Sequence, residues 1–264
     1  MSGSSALDIG TTGMILVYVM GLIPLILLAA AGIGMTLEIV KSALKMSLQL
    51  LLVGIYLKYI FELQNPWVNL LWIGVMILVA NTSILKQAGL KVTTLFPRTM
   101  AGLLLGTSVA ALFMIGLIVR PTPLYDAHYL IPITGMILGN CLRGNILSLE
   151  RFYTGIREGK REYMDSLLMG ASRWEAAAPF ARKAIRTALA PILSTMATTG
   201  VVSLPGMMTG QILGGSFPLV AIKYQIAIMI AIFTAMSLSA VANIIFSMGR
   251  GFDDYDLLRE DIFA

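Results

Sequence analysis

Apolar residues in this chain come in long blocks rather than in alternation with polar ones. Seven blocks can be marked, at residues 14–34, 43–61, 67–85, 98–119, 129–149, 188–213 and 221–247. Each holds about 20 residues, and a helix of that length rises about 30 Å, the thickness of a bilayer's hydrocarbon core. A strand of a membrane barrel needs only about ten residues of alternating polarity, so the blocks predict helices. The expected fold class is all-α: one polytopic membrane domain over residues 1–264, with about seven transmembrane helices and a polar loop at about 150–187. Pro24, Pro132, Pro191 and Pro205 fall inside blocks, where membrane helices tolerate proline if neighbours satisfy the freed backbone groups.

Composition agrees. The chain is 57% hydrophobic and 12% charged, with a mean hydropathy of +0.83, against about 45–50% and about 25% for soluble domains. A soluble enzyme, a disordered tail and a fibrous protein are excluded. The single cysteine, Cys141, permits no intrachain disulfide, and the single histidine, His128, cannot build a multi-histidine metal centre. Residues Met1–Gly13 carry no Lys or Arg, so the first block lacks the basic flank of a cleavable signal peptide and reads as a retained helix.

The basic residues orient the seven-span map. Sixteen of the 19, among them Lys41, Lys45, Lys86, Lys91, Arg98 and Arg143 and all those from Arg151 to Arg186, fall on one side. Only Lys58, Arg120 and Lys223 fall on the other. Cytoplasmic loops carry the excess of Lys and Arg, which places the N-terminus outside and the C-terminus in the cytoplasm of a cell (inner) membrane protein. The net charge of +5 is then a signal of topology, and anionic membrane lipids account for a basic inner surface without nucleic acid.

Within the cytoplasmic loop, Glu162–Met169 reads as a short amphipathic helix, Gly170-Ala171 as a break, and Ser172-Arg-Trp-Glu175 as a capping box that starts the next helix. Pro179 is expected to bend or end that helix early. A solvated hairpin joining two spans is the plain reading of this loop.

Catalytic motifs are missing. Gly155-Ile-Arg-Glu-Gly159-Lys160-Arg161 has neither the spacing nor the hydroxyl of a phosphate-binding loop, so this chain does not by itself hydrolyse ATP. No Gly-x-Ser-x-Gly, His-Glu-x-x-His or paired membrane carboxylate occurs. Small residues recur every fourth position at Gly102/Gly106/Ala110, Gly135/Gly139 and Gly206/Gly210/Gly214. The first two stripes predict close helix packing. The third follows Ser203-Leu-Pro205-Gly206, where proline removes a donor and glycine loosens the chain, so a broken helix is expected at Pro205 and Gly206. Ser203, Thr209 and Gln211 would offer oxygen to a substrate there, and Met207 and Met208 soft sulfur. Methionine also fills gaps in apolar packing. On the fifth block Asn140, Arg143 and Asn145 are candidates for a substrate pathway. Asparagine can equally act as glue between helices, and Arg143 can snorkel to the cytoplasmic surface.

Ile131-Pro-Ile-Thr-Gly-Met-Ile-Leu-Gly-Asn140, Val202-Ser-Leu-Pro-Gly-Met-Met-Thr-Gly210 and Ala221-Ile-Lys-Tyr-Gln-Ile226 resemble the Fet-type ABC permeases, which include a bacterial iron-export permease and plant aluminium-resistance permeases. The resemblance runs from about Glu38 to Asn243. It implies a permease subunit that pairs with a separate cytoplasmic ABC ATPase, as a homodimer, and exports a metal ion such as iron. ATP and Mg would sit on the ATPase, with no cofactor in this chain. Asp165 and Gly170-Ala171-Ser172-Arg173-Trp174 look like the loop by which ABC membrane subunits dock on their ATPases, with Trp174 as anchor. Export of an organic anion or nucleotide sugar, to which Arg143 is suited, and an autonomous carrier or channel are the alternatives.

Overall fold

The structure, a computed structural model, describes residues 9–264. Residues 1–8, at the terminus expected outside, lie outside the described residues. The chain is helical: α1 Thr11–Ala30, α2 Thr36–Leu63, α3 Pro66–Gln87, α4 Val92–Leu112 with a π-helical continuation Phe113–Val119, α5 Ala127–Glu158, α6 Lys160–Leu168, α7 Arg173–Thr198, α8 Gly206–Leu213 and α9 Pro218–Gly251. Local chemistry sets several starts. The Asn65 side chain accepts from the Trp67 N–H at 2.9 Å with Pro66 in the first turn, and Asp126 accepts from the His128 N–H at 3.0 Å.

Among the described residues six helices are long and apolar enough to cross a membrane: α1, α2, α3, α4 with its continuation, α5 and α9. The remaining apolar block, expected as one span over 188–213, is divided. Helix α7 begins in the charged loop and runs unbroken through Pro179 and Pro191 to Thr198, so Pro179 does not end it. Each proline costs the helix one backbone bond, Pro179 at the Glu175 carbonyl, and α7 stays continuous through both because it is packed along α5. The chain then breaks at residues 199–205 and restarts as α8, with Pro205 at the N-cap rather than inside a helix.

The core is the contact of α4 with α9, flanked by α5, with α3 packed on α4 and α5, α7 on α5, and α8 on α9. The α4–α9 approach is close because Gly102 and Gly106 face it: a Cβ on Gly102 would strike Asn243, and one on Gly106 would lie 2.5 Å from the Ala235 carbonyl oxygen. Of the second stripe, Gly135 faces Met76 and Gly139 touches no neighbour, so its packing role holds for one glycine. Helix α1 buries no residue and α2 only Ile60, which meets Ala127 and Ile131 of α5. An apolar surface of that extent suits hydrocarbon rather than water.

Contacts between distant segments close both ends of the bundle. At one end the Lys91 N–H donates to the Ile262 carbonyl, the Arg157 guanidinium lies 4.3 Å above the Phe263 ring, and Arg98 reaches the Phe246 carbonyl. At the other, Asn69 donates to the Tyr125 carbonyl at 2.7 Å and Phe61 stacks on His128.

Candidate functional site

Three places hold the residues singled out from the sequence. The first is the elbow between α6 and α7. Its α6 side closes with the Gly170 N–H on the Leu167 carbonyl (2.9 Å) and the Ala171 N–H on the Ser166 carbonyl (3.1 Å), the paired bonds of a Schellman cap. That cap needs a left-handed residue, and Gly170 supplies it at φ +92°. The α7 side opens one residue later with the expected capping box: the Ser172 N–H and Oγ–H donate to Glu175 Oε2 at 2.8 and 2.6 Å, and Ser172 Oγ accepts from the Glu175 N–H. These bonds hold the Glu175 carboxyl below its ordinary range. Two caps set back to back make a stiff corner. Its apex is bare: Leu168 is 81%, Met169 86% and Trp174 48% exposed. Asp165 lies on the exposed face of α6, 4.0 Å from Arg161. Arg173 turns the other way and pairs with Asp256 beyond α9.

The second place is the break itself. The Gly200 N–H donates to the Ser203 carbonyl at 2.9 Å, closing the turn, and Ser203 is exposed. Thr209 spends its hydroxyl on the Pro205 carbonyl (3.1 Å), and Met207 packs against the core. Met208 is half-buried. Gln211 keeps a buried Oε1 without a hydrogen-bond partner. The break therefore starts at Thr199, several residues before Pro205 and Gly206, which begin the next helix.

The third place is α5, where the three candidates part company. Asn145 is fully buried and committed: its Nδ2 donates to the Cys141 carbonyl and to Ser239 Oγ, both at 2.8 Å, and its Oδ1 accepts from Asn243 Nδ2 at 2.7 Å. The bonds to Ser239 and Asn243 tie α5 to α9. Asn140 bonds only to its own helix, at the Met136 carbonyl. Arg143 is exposed, on the same face as Pro132 and Gly139. Ser239, which completes the network, was missed in the sequence. The signal was available, since Ser239, Asn243 and Ser247 recur every fourth residue within an apolar block. Among the described residues no group of three or more acidic, histidine or cysteine side chains is placed to hold a metal.

Residues 11–252 match the family described as "Uncharacterised protein family (UPF0014)". The chain belongs to the UPF0014 family. It is 36% identical over 216 residues to the UPF0014 membrane protein slr1647 of Synechocystis, covering 82% of this chain and 83% of that one. It is 31% identical over 227 residues to the protein ALUMINUM SENSITIVE 3 of Arabidopsis thaliana, covering 84% and 80%. Over 204 residues it is 30% identical to the probable iron export permease protein FetB of Escherichia coli, covering 77% of each. No solved structure matches this chain. This UPF0014 protein is an integral membrane protein of a permease-like family, and the resemblance read from its fifth, sixth and seventh blocks holds.

Proposed function

We propose that this chain is the permease subunit of an ABC exporter of a metal ion such as iron, working as a homodimer with two copies of a separate cytoplasmic ATPase that binds ATP and Mg. The observation that carries the reading is the elbow. A corner held by a Schellman cap and a capping box, with bare Leu168, Met169 and Trp174 at its apex, is a rigid apolar knob at the basic end of the bundle. Such a knob suits a partner's groove, where a tryptophan typically carries much of the binding energy. The charge bias of the two ends supports a cytoplasmic setting, with the C-terminus inside. The printed name of the Escherichia coli relative supports a metal cargo. At the break, Ser203 and Gln211 offer oxygen for a hard cation, and Met207 and Met208 sulfur for a soft one.

The test is the assembled complex in lipid. Trp174→Ala is expected to weaken ATPase binding by about thirtyfold, the effect of losing a hot-spot side chain of about 2 kcal/mol, with membrane insertion intact. For an iron-like cargo, Gln211→Ala reduces metal-stimulated ATP hydrolysis while Met207→Leu and Met208→Leu do not. Unchanged ATPase affinity and transport in Trp174→Ala refute the docking role. A second reading, export of an organic anion, is favoured by Arg143, an exposed cation on a membrane-spanning helix with no ion-pair partner among the described residues. Stimulation by a nucleotide sugar, lost in Arg143→Gln and absent with metals, would select it.

A further inference from the structure

Residues 252–264 leave α9 and fold back beneath the bundle. The Phe252 ring packs on Tyr163 of α6 with centroids 5.7 Å apart, and the Arg173 guanidinium lies 5.7 Å from the same ring. The Asp253 carboxylate then accepts from the backbone N–H groups of Tyr255 and Leu257 at 2.9 and 2.8 Å, closing a tight turn in which Asp256 takes φ +62°. This turn aims the Asp256 carboxylate at Arg173, in the first turn of α7, which pairs with it through Nε and Nη2. Arg173 Nη2 also donates to the Asp253 carbonyl at 3.2 Å, and the Tyr163 hydroxyl donates to the Asp256 carbonyl at 2.7 Å. Burial, with the Asp256 carboxylate adding to it, pushes the Tyr163 phenol up to about 12, so it remains a donor at any physiological pH. Farther along, the Lys91 N–H donates to the Ile262 carbonyl at 2.7 Å, the Ala264 N–H to the Gly89 carbonyl at 2.9 Å, and Phe263 sits under Arg157.

The segment is thus tied at one end to α9, at the other to the connection between α3 and α4, and between them it grips both helices of the elbow. Apart from this segment, the α7 side of the corner meets the bundle through buried Ala176, Ala177 and Ala181 and through Phe180, which lies against Gly155 and Gly159 at the end of α5, while α6 buries only Tyr163, whose ring lies 6.5 Å from Phe180. We propose that residues 252–264 form a strut that fixes the elbow to α9 and to the start of α4, with Asp256 as its positioning residue acting through Arg173. A push on the stiff corner is then delivered to the tightly packed α4–α9 pair as well as along α7. That the pushing partner is an ATPase rests on the proposed function; that the strut fixes the elbow does not.

Amide hydrogen exchange of the purified full chain in lipid tests the strut without any partner. Arg173→Gln and Asp256→Ala are expected to speed exchange at residues 166–176 by roughly two- to fivefold, the factor lost with a partly exposed charge-assisted pair. Asp256→Asn, which keeps an acceptor and tolerates the left-handed backbone, should fall between them and the parent. Exchange at Gly106 and Asn243, in the α4–α9 core, should not change. Unchanged elbow exchange in both Arg173→Gln and Asp256→Ala overturns the proposal. So does faster exchange of elbow and core together, which would make the pair a general support of the fold. A second arm adds the ATPase: Asp256→Ala should bind it within about twofold of the parent yet lose ATP-driven transport, and full transport in that variant overturns the strut's coupling role. If the unsubstituted chain binds no ATPase, the proposed function fails while the exchange result stands on its own.

Discussion

Gly106→Ala probes the contact on which the bundle is built. A Cβ at Gly106 would lie 2.5 Å from the Ala235 carbonyl oxygen, 2.7 Å from Ser239 Cβ and 2.8 Å from the Ser239 nitrogen. Two of these three atoms are backbone, so no rotamer change makes room. Helix α9 has to retreat by about 0.6 to 0.9 Å to restore ordinary contact, and a gap of that size forfeits roughly a quarter to a half of each dispersion contact along the seam. Overpacking of this kind costs about 1–3 kcal/mol. The retreat also stretches the Asn145 bond to Ser239 and the Asn243 bond to Asn145, each worth about 0.6 kcal/mol in a membrane interior. The expected loss is therefore about 2–4 kcal/mol, measured by reversible unfolding in mixed micelles with increasing denaturing detergent. Gly74→Ala is the control: its Cβ meets nothing within 4 Å, and alanine in place of a helical glycine gains up to about 1 kcal/mol. If Gly106→Ala unfolds at the same detergent fraction as Gly74→Ala, the close approach of α4 and α9 is wrong.

The same unfolding assay separates the asparagines of α5. Asn145→Ala should cost about 1–3 kcal/mol because it leaves Asn243 Nδ2 buried without an acceptor, while Asn140→Ala, which gives up one bond within its own helix, should be close to neutral. Cys141 is fully buried, so a maleimide should label it only after unfolding, and rapid labelling of the native protein would contradict the packing of α5. The Glu175 carboxyl is held below its ordinary range by Ser172, so its contribution to the elbow is complete above that range and is lost as the pH falls through its lowered value. With Trp67 and Trp72 replaced by Phe, Trp174 emission should report that acid transition. Glu175→Gln, which can still complete a capping box, should flatten it.

Local features were readable in the order of residues because the forces behind them act over a few positions. Blocks of about 20 apolar residues can bury their backbone in hydrocarbon only as helices, and this carried the all-α class and six of the seven block positions. The Ser172–Glu175 spacing reproduces a cap geometry, and it appeared as expected. The sixth block shows where this reasoning stops: hydropathy does not register a turn inside an apolar run, and Pro179 did not end its helix because α5 packs along α7.

What the chain's order left open was every choice among partners far apart in sequence. Asn145 and Arg143 sit two residues apart and looked alike as polar groups in a span, yet a helix turns about 100° per residue. That rotation points Asn145 at Ser239, 94 residues away, and leaves Arg143 on the outer face. Arg173 looked like part of a docking tip, and only the return of the chain beneath the bundle set Asp256 against it, 83 residues on. Composition and periodicity determine what a residue can do, but the packing of distant helices decides which neighbour it does it with, because side-chain interactions fall off within a few ångströms and only the folded chain sets those distances.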